Sequence, residues 1–224
     1  MTDVSIVIPA FGPPHFIDAC LNSLASDGWQ HEVIVVDNGV GYDLPDWVVA
    51  IRNEQNEGFA PACNAGGRAA SGSLLCFLNC DAVVTPGWLD PLVAAFDDRQ
   101  VVMAGPKIIH PDGSVQTTGI RTWHGNGSAG GEERKDDHPT EDVDGVTGAC
   151  VVLRKAIWHQ YPFDEEFRNG YEDVAMCLAI REVGWRIRYV AESTVIHHES
   201  VTGPERWQWA GANVELMNKK WGNR

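Results

Sequence analysis

The stretch that most limits what this chain can fold into is Leu74 to Val84, LLCFLNCDAVV. Its apolar run, Leu74 to Leu78, has the length of a buried strand and stops abruptly at Asn79-Cys80-Asp81. A buried strand there delivers Asn79 and Asp81 to its carboxyl end, the edge at which open α/β sheets bind ligands. A carboxylate in that position, with a second oxygen-bearing side chain two residues away, can seat a hard divalent cation that also holds phosphate oxygens. Asp81 can equally be punctuation between the strand and the turn at Thr85-Pro86-Gly87.

The residues before this stretch repeat one pattern. Val4 to Ala10 (VSIVIPA) is a β-branched run closed by Pro9, and Phe16, Ile17, Cys20, Leu21 and Leu24 follow at helical spacing. His31 to Asp37 (HEVIVVD) predicts a second buried strand, ending in Asp37 before the turn Asn38-Gly39. A carboxylate at a strand end can accept hydrogen bonds from a ribose or a base, and Asp-Asn pairs also simply form turns. In NEQNEGFAPACNAGG, Asn56 and Gly58 precede a helix of small residues opening near Pro61. Amides at such a helix start suit an anion, while the small side chains suit close packing of helix on sheet. After the strand at Leu74, the spacing of Trp88, Leu89, Leu92, Val93 and Phe96 predicts another amphipathic helix. The alternation β-α-β-α-β-α implies an α/β fold with a parallel sheet and helices on its faces. Neither a G-x-G-x-x-G nor a Walker lysine follows these strands, which excludes dinucleotide-binding and P-loop classes.

The second half is less regular. Val101 to Ile109 predicts a further strand, followed by the turn Pro111-Asp112-Gly113. Gly119 to Asp144 is rich in Gly, Asp, Glu and His without a period, and is expected to be a mobile loop near the mouth of an active site, with His124 and His138 solvated. Gly145 to Arg154 returns to a strand. Val174, Cys177 and Leu178 mark a helix whose first turn carries Glu172 and Asp173, a placement that the helix dipole favours by itself. Arg186 to Ile196 predicts the last strand, ending in His197-His198-Glu199-Ser200. A neutral imidazole there can join Asp81 on a metal, His198 being the alternative ligand, although paired histidines also occur as surface decoration.

The charge balance, 17 Lys plus Arg against 31 Asp plus Glu, gives a net charge of −14 and argues against nucleic acid as a partner. The six cysteines lack zinc spacing and no secretory leader precedes them, so reduced thiols and a cytoplasmic location are expected. No apolar run has the length to cross a bilayer; membrane contact is expected to be peripheral at most, at the inner face.

In combination, VSIVIPAF, VIVVDNG, NEGFAPACNAG, FLNCDAVVTPGWLDPL, GPKIIHPDG, VTGAC, FDEEFRNGYEDVAMC and VIHHES resemble the inverting glycosyltransferases of family 2, most nearly their rhamnosyltransferase-like branch. The resemblance runs from Val4 to about Ser200. It implies one domain of the nucleotide-diphospho-sugar transferase (GT-A) fold over residues 1–224, with a nucleotide-binding half over about 1–100 and an acceptor-side half over about 101–224. It further implies that Pro9, Asp37, Asn56, Gly58, Asn64, Asn79 and Asp81 bind the nucleotide sugar. Asp81 takes the second acidic position of a D-x-D metal motif whose first position is Asn79, and His197 completes a Mg2+ or Mn2+ site. Asp173, beside Glu172, matches the catalytic base. Ala175 and Ala179 depart from the Asp and Arg common on that helix.

The activity implied is inverting transfer of a hexosyl or deoxyhexosyl group from a UDP- or dTDP-linked donor to a hydroxyl of a glycan, glycolipid or other acceptor, in the assembly of cell-surface or secreted glycans. The rival readings are a nucleotidyltransferase that makes nucleotide sugars, and a catalytically inactive carbohydrate-binding protein. A nucleotidyltransferase would carry a glycine-rich, basic loop after the first strand, and Phe11-Gly12-Pro13-Pro14-His15 is neither.

Overall fold

A computed structural model describes residues 4–27, 31–199 and 208–224. Val4–Ala10 (β1) is buried at all its positions and Leu74–Leu78 (β4) likewise, because helices cover both faces of the sheet that contains them. Between them lie Pro14–Ser26 (α1), Glu32–Asn38 (β2), Val49–Asn53 (β3) and Phe59–Ala69 (α2). The buried stripe of α1 is Ile17, Cys20, Leu21 and Leu24, as the spacing predicts. Ala82–Val84 (β5), Leu89–Ala94 (α3) and Val101–Ile109 (β6) follow. Then come Val115–Thr117 (β7), Ile120–Gly125 (β8), Ser128–Glu133 (β9), Glu141–Val143 (β10) and Cys150–Arg154 (β11). Lys155–Trp158 (α4), Glu172–Glu182 (α5), Arg186–His197 (β12) and Ala210–Trp221 (α6) close the chain.

One sheet runs β10-β12-β6-β11-β4-β1-β2-β3, with β5 added on β12 and β7 on β6. The ladders β1 with β2, β1 with β4, β2 with β3 and β6 with β12 are parallel. β11 enters antiparallel between β4 and β6, so the sheet is mixed, with its longer ladders parallel. Side chains alternate across it: Ile6 and Ile8 join a core with Leu21 of α1 and Leu92 of α3, whereas Val7 joins a second core with Trp158 of α4 and Ile180 of α5. On that second face the close-packing reading of α2 holds, since a Cβ on Gly66 would lie 2.3 Å from Val7 Cγ1 and one on Gly67 2.6 Å from the Trp158 ring.

The segment 119–144 is not the structureless loop expected from its composition. β8 and β9 pair as an antiparallel hairpin, and β10 joins the main sheet on β12. The hairpin packs on α5 and α6 through a small core of Ile120, Ala129, Phe167, Val174, Leu178, Met217 and Trp221. Glycine permits close approach here: a Cβ on Gly131 would meet Val174 of α5 at 3.0 Å and Ile120 of β8 at 2.8 Å, and one on Gly130 the Trp123 ring of β8 at 2.6 Å. Ala175 also belongs to this core, with Ala179 packed against it, so both small residues face α6 and the hairpin. His124 is exposed as expected. His138 is not solvated: its ring lies 4.5 Å from that of Tyr189, and Nε2 stands 3.2 Å from the Thr118 carbonyl.

Among the described residues no helix is long and apolar enough to cross a membrane. All six cysteines are free and buried. Burial pushes the thiols of Cys20, Cys63 and Cys150 well above their ordinary range and those of Cys80 and Cys177 up to about 12. Ellman's reagent at pH 8 is therefore expected to leave the native protein unlabelled and to titrate all six thiols in denaturant. A thiol that reacts within seconds in the native state would contradict this packing.

Candidate active site

Pro9 at the end of β1, Asn38 at the end of β2 and Asn79 just past β4 border a cleft of about 600 Å³ along the carboxyl edge of the sheet. The turn after β4 sets the geometry of one end of it. Asn79 N–H donates to the Ala149 carbonyl at 2.9 Å, and Ala82 N–H to the Asn79 carbonyl at 3.1 Å, which turns the chain into β5. β5 then pairs antiparallel with the end of β12, Ala82 opposite His197, so Asp81 is brought beside the imidazole. His197 Nε2 lies 3.2 Å from Asp81 Oδ1 and 3.1 Å from Asn79 Nδ2, while Nδ1 stands 3.0 Å from Gln116 Oε1. Asp81, Gln116 and His197 are each 5% exposed. His197 is thus a built part of the cleft rather than surface decoration. His198 is not interchangeable with it, since its ring packs against Phe16 and only its backbone N–H reaches the Asp81 carbonyl.

The cluster can be tested against a divalent cation. Asn79 Oδ1 is buried without a hydrogen-bond partner, on the amide whose nitrogen lies 3.1 Å from His197 Nε2, itself 3.2 Å from Asp81 Oδ1. Two oxygens and one nitrogen form a donor set that Mn2+ or Mg2+ accepts, with further positions left for phosphate oxygens and water. Among the described residues no group of three His, Cys, Asp or Glu side chains converges, so beyond Asp81 and His197 a cation would draw on this amide oxygen, phosphate oxygens or water.

The carboxylates of the other end come from the start of α5. The chain enters that helix through Asn169 and Tyr171, both in the left-handed region at φ 51° and 74°. Non-glycine residues held there signal a turn that surrounding contacts impose. Glu172 Oε2 accepts the Gly170 N–H at 2.6 Å, and Glu172 is 4% exposed. Asp173 is partly exposed in the cleft; Oδ2 accepts the Gly148 N–H at 2.9 Å and Oδ1 the Val174 N–H at 2.8 Å. Its carboxylate is therefore held against the loop before β11 with a defined orientation.

Two residues expected to touch the nucleotide sugar do not line the cleft. Asp37 is 1% exposed, and its oxygens accept the N–H groups of Val40, Gly41 and Tyr42 and the Arg52 guanidinium at 2.7 Å. Its carboxylate folds the loop that follows β2. Asn64 bridges α2 to the Phe163 backbone and Glu165, a structural tie across 99 residues of sequence. Pro9, Asn56, Gly58, Asn79, Asp81, Glu172, Asp173 and His197 do line the cleft. Asn56 Oδ1 accepts the Gly58 N–H at 2.9 Å, which shapes the entry to α2. Asn38 and Gln116 line it too, and sequence reasoning overlooked both as site residues. Asn38 follows Asp37 directly, where strand alternation turns it the other way. Its amide donates to the Gly58 carbonyl at 3.2 Å and accepts from Asn53 at 2.7 Å.

Sheet order and site together define a GT-A glycosyltransferase fold. Solved structures agree: GalNAc-T7 with UDP, GalNAc and Mn2+ superposes with a TM-score of 0.70 at 19% identity, over 88% of this chain and 44% of that one. The mannosyltransferase PcManGT from Pyrobaculum calidifontis, in complex with GDP-Man and Mn2+, gives 0.65 at 14% identity over 97% and 65%. The sequence model of Glycosyl transferase family 2 matches residues 5–161, and the chain belongs to that family. Among curated relatives, the O-antigen biosynthesis protein RfbC of Myxococcus xanthus is 31% identical over 89% of this chain and 17% of its own length. The pre-mycofactocin glycosyltransferase of Mycobacterium tuberculosis is 30% identical over 87% and 42%. The chain spans less than half the length of either relative.

Proposed function

We propose that this protein transfers a sugar from a UDP- or dTDP-linked donor to a hydroxyl of a glycan or glycolipid acceptor, with inversion at the anomeric carbon. The observation that carries the reading is that Asp173 and the Asp81–His197–Asn79 cluster line one cleft. Asp173 takes the proton of the acceptor hydroxyl while that oxygen bonds to the anomeric carbon, and the bond to the diphosphate breaks with its electron pair leaving on the phosphate. The Gly148 amide keeps the carboxylate turned into the cleft during this step. Asp81, His197 and Asn79 Oδ1 would hold the divalent cation, which supplies positive charge against the departing diphosphate. The cleft also takes in Gly58 and Phe59 at the start of α2, where backbone N–H groups favour an anion. Asn38 stands where a nucleoside would enter along β2. The donor class draws on the family resemblance, and the glycan acceptor on the O-antigen biosynthesis relative.

The test is a panel of UDP-, dTDP- and GDP-sugars with Mn2+ or Mg2+, read as free nucleoside diphosphate. One UDP or dTDP donor is expected to be hydrolysed, at a rate at least tenfold lower after EDTA. No diphosphate from any donor would refute the transfer reading, and pyrophosphate released from a nucleoside triphosphate and a sugar phosphate would replace it with nucleotidyl transfer. Turnover unchanged by EDTA would remove the cation from Asp81.

A further inference from the structure

Gln116 sits in a three-residue strand, and no part of the proposed chemistry uses it directly. Its side chain nevertheless has a single orientation with a consequence. Oε1 only accepts hydrogen bonds, so the ring nitrogen 3.0 Å away, His197 Nδ1, has to carry the hydrogen. A neutral imidazole protonated at Nδ1 keeps its lone pair on Nε2. On its other side Nε2 meets Asn79 Nδ2, which only donates, at 3.1 Å, and Asp81 Oδ1, which only accepts, at 3.2 Å. Without a cation the lone pair takes the amide hydrogen, and a cation between Nε2 and Asp81 Oδ1 would displace it. The opposite tautomer would donate to Asp81 Oδ1 but would set a lone pair against Gln116 Oε1 and an N–H against the Asn79 amino group, two mismatches for one gain.

We propose that Gln116 is a positioning residue that holds His197 in the Nδ1–H tautomer and thereby aims the Nε2 lone pair at a cation beside Asp81. The cation half of this inference rests on the sugar-transfer reading; the tautomer is a property of the protein by itself. Two features explain why a glutamine can do this from so short a strand. β7 is pinned antiparallel to β6, and β6 is parallel to β12, so three adjacent strands fix the distance from Gln116 to His197. The neighbouring Thr117 hydroxyl is tied to the Gly119 carbonyl at 2.9 Å, which keeps the end of β7 from shifting. Ligand histidines in general have their second nitrogen hydrogen-bonded in this way, and loss of such a partner lowers metal affinity roughly 10- to 100-fold.

The tautomer is read directly from long-range 1H–15N correlation spectra of 15N-histidine-labelled, metal-free protein at pH 8, with His197 assigned by its loss in His197→Asn. The wild type is expected to show Nδ1–H. Gln116→Leu is expected to shift His197 toward Nε2–H and to weaken Mn2+ binding in the presence of UDP, followed by electron paramagnetic resonance, roughly 10- to 100-fold. Gln116→Glu keeps an acceptor at the same place, so it should retain Nδ1–H and bind Mn2+ at least as tightly as the wild type. A loss caused only by disturbed packing would not be rescued by that variant. An Nε2–H tautomer in the wild type overturns the inference while leaving sugar transfer intact. So does Gln116→Leu with unchanged tautomer and Mn2+ affinity. A wild type with Nδ1–H and no affinity for Mn2+ overturns the cation role of His197, and with it the metal in the transfer reading. Should Gln116→Leu fail to fold, the wild-type spectrum and Gln116→Glu still decide.

Discussion

Asp173→Asn is expected to lower sugar transfer roughly 10²- to 10⁴-fold, the range for removing a positioned general base. The substitution keeps the shape of the side chain and an amide oxygen that can still accept the Gly148 N–H, so the loop before β11 stays where it is. What disappears is the capacity to take a proton. The lost charge in the first turn of α5 costs about 0.3–1 kcal/mol of stability, a small shift in thermal midpoint. Donor binding should barely change, because the end of the cleft at Asp81, where we place the cation and diphosphate, is untouched. A near-normal rate with a slightly lowered midpoint would show that Asp173 only supports the helix start. Glu172→Gln would then be the variant to make, although Glu172 lies deeper and is already engaged by the Gly170 N–H.

Asp37→Ala should produce the largest loss of stability among the residues discussed. Its carboxylate accepts three backbone N–H groups from residues 40–42, and one of them belongs to Tyr42, which is 5% exposed. Hydrogen bonds to a charged group contribute about 1.5–3 kcal/mol each when the donor is left without a partner, but the amides of Val40 and Gly41 are on an exposed loop and rehydrate. A total near 2–4 kcal/mol follows, or a drop in thermal midpoint on the order of 10 °C for a chain of this length. Arg52→Ala, by contrast, leaves the N–H groups of residues 40–42 on the Asp37 carboxylate and should cost less than Asp37→Ala. Equal midpoints for wild type and Asp37→Ala would contradict the role of this carboxylate in folding the loop. Any loss of nucleotide affinity in Asp37→Ala is expected to appear together with the lost midpoint rather than at constant stability.

What could be read in the sequence was what burial writes in apolar side chains. β1, β4 and β6 end where the runs Val4–Ala10, Leu74–Leu78 and Val101–Ile109 end, and α1 turns inward the face that its spacing marks. β3 was not legible because it is an edge strand whose residues are mostly exposed, so no apolar run announces it. The hairpin of β8 and β9 was misread as a loop because its inward positions include Gly131, against Ile120 and Val174, which supplies space rather than hydrophobic signal. In α6 the inward face includes the polar Asn213, whose amide is used by the Arg168 backbone, so periodicity is weak there.

The site divides along the same lines. Asp81, Asp173 and His197 were singled out from motifs, and the structure brings them to one cleft. Asp37 was read as a ligand contact because a strand-end carboxylate looks the same whether it meets a nucleoside or ties up its own loop; the structure shows the hydrogen bonds to residues 40–42, and the Asp37→Ala comparison tests the nucleoside contact. Gln116 has no sequence signal at all, since a glutamine in a three-residue strand becomes meaningful only when β7, β6 and β12 are laid side by side.

A single displacement, in which Asp173 activates the attacking oxygen opposite the diphosphate end at Asp81, must invert the anomeric carbon. The most direct measurement is the configuration of the first sugar released when the best donor of the panel is hydrolysed by the wild-type protein, followed by 1H NMR before mutarotation sets in. From an α-linked nucleotide sugar, the β-anomer is expected first. The α-anomer as the first product would contradict direct displacement and the assignment of Asp173 as its base.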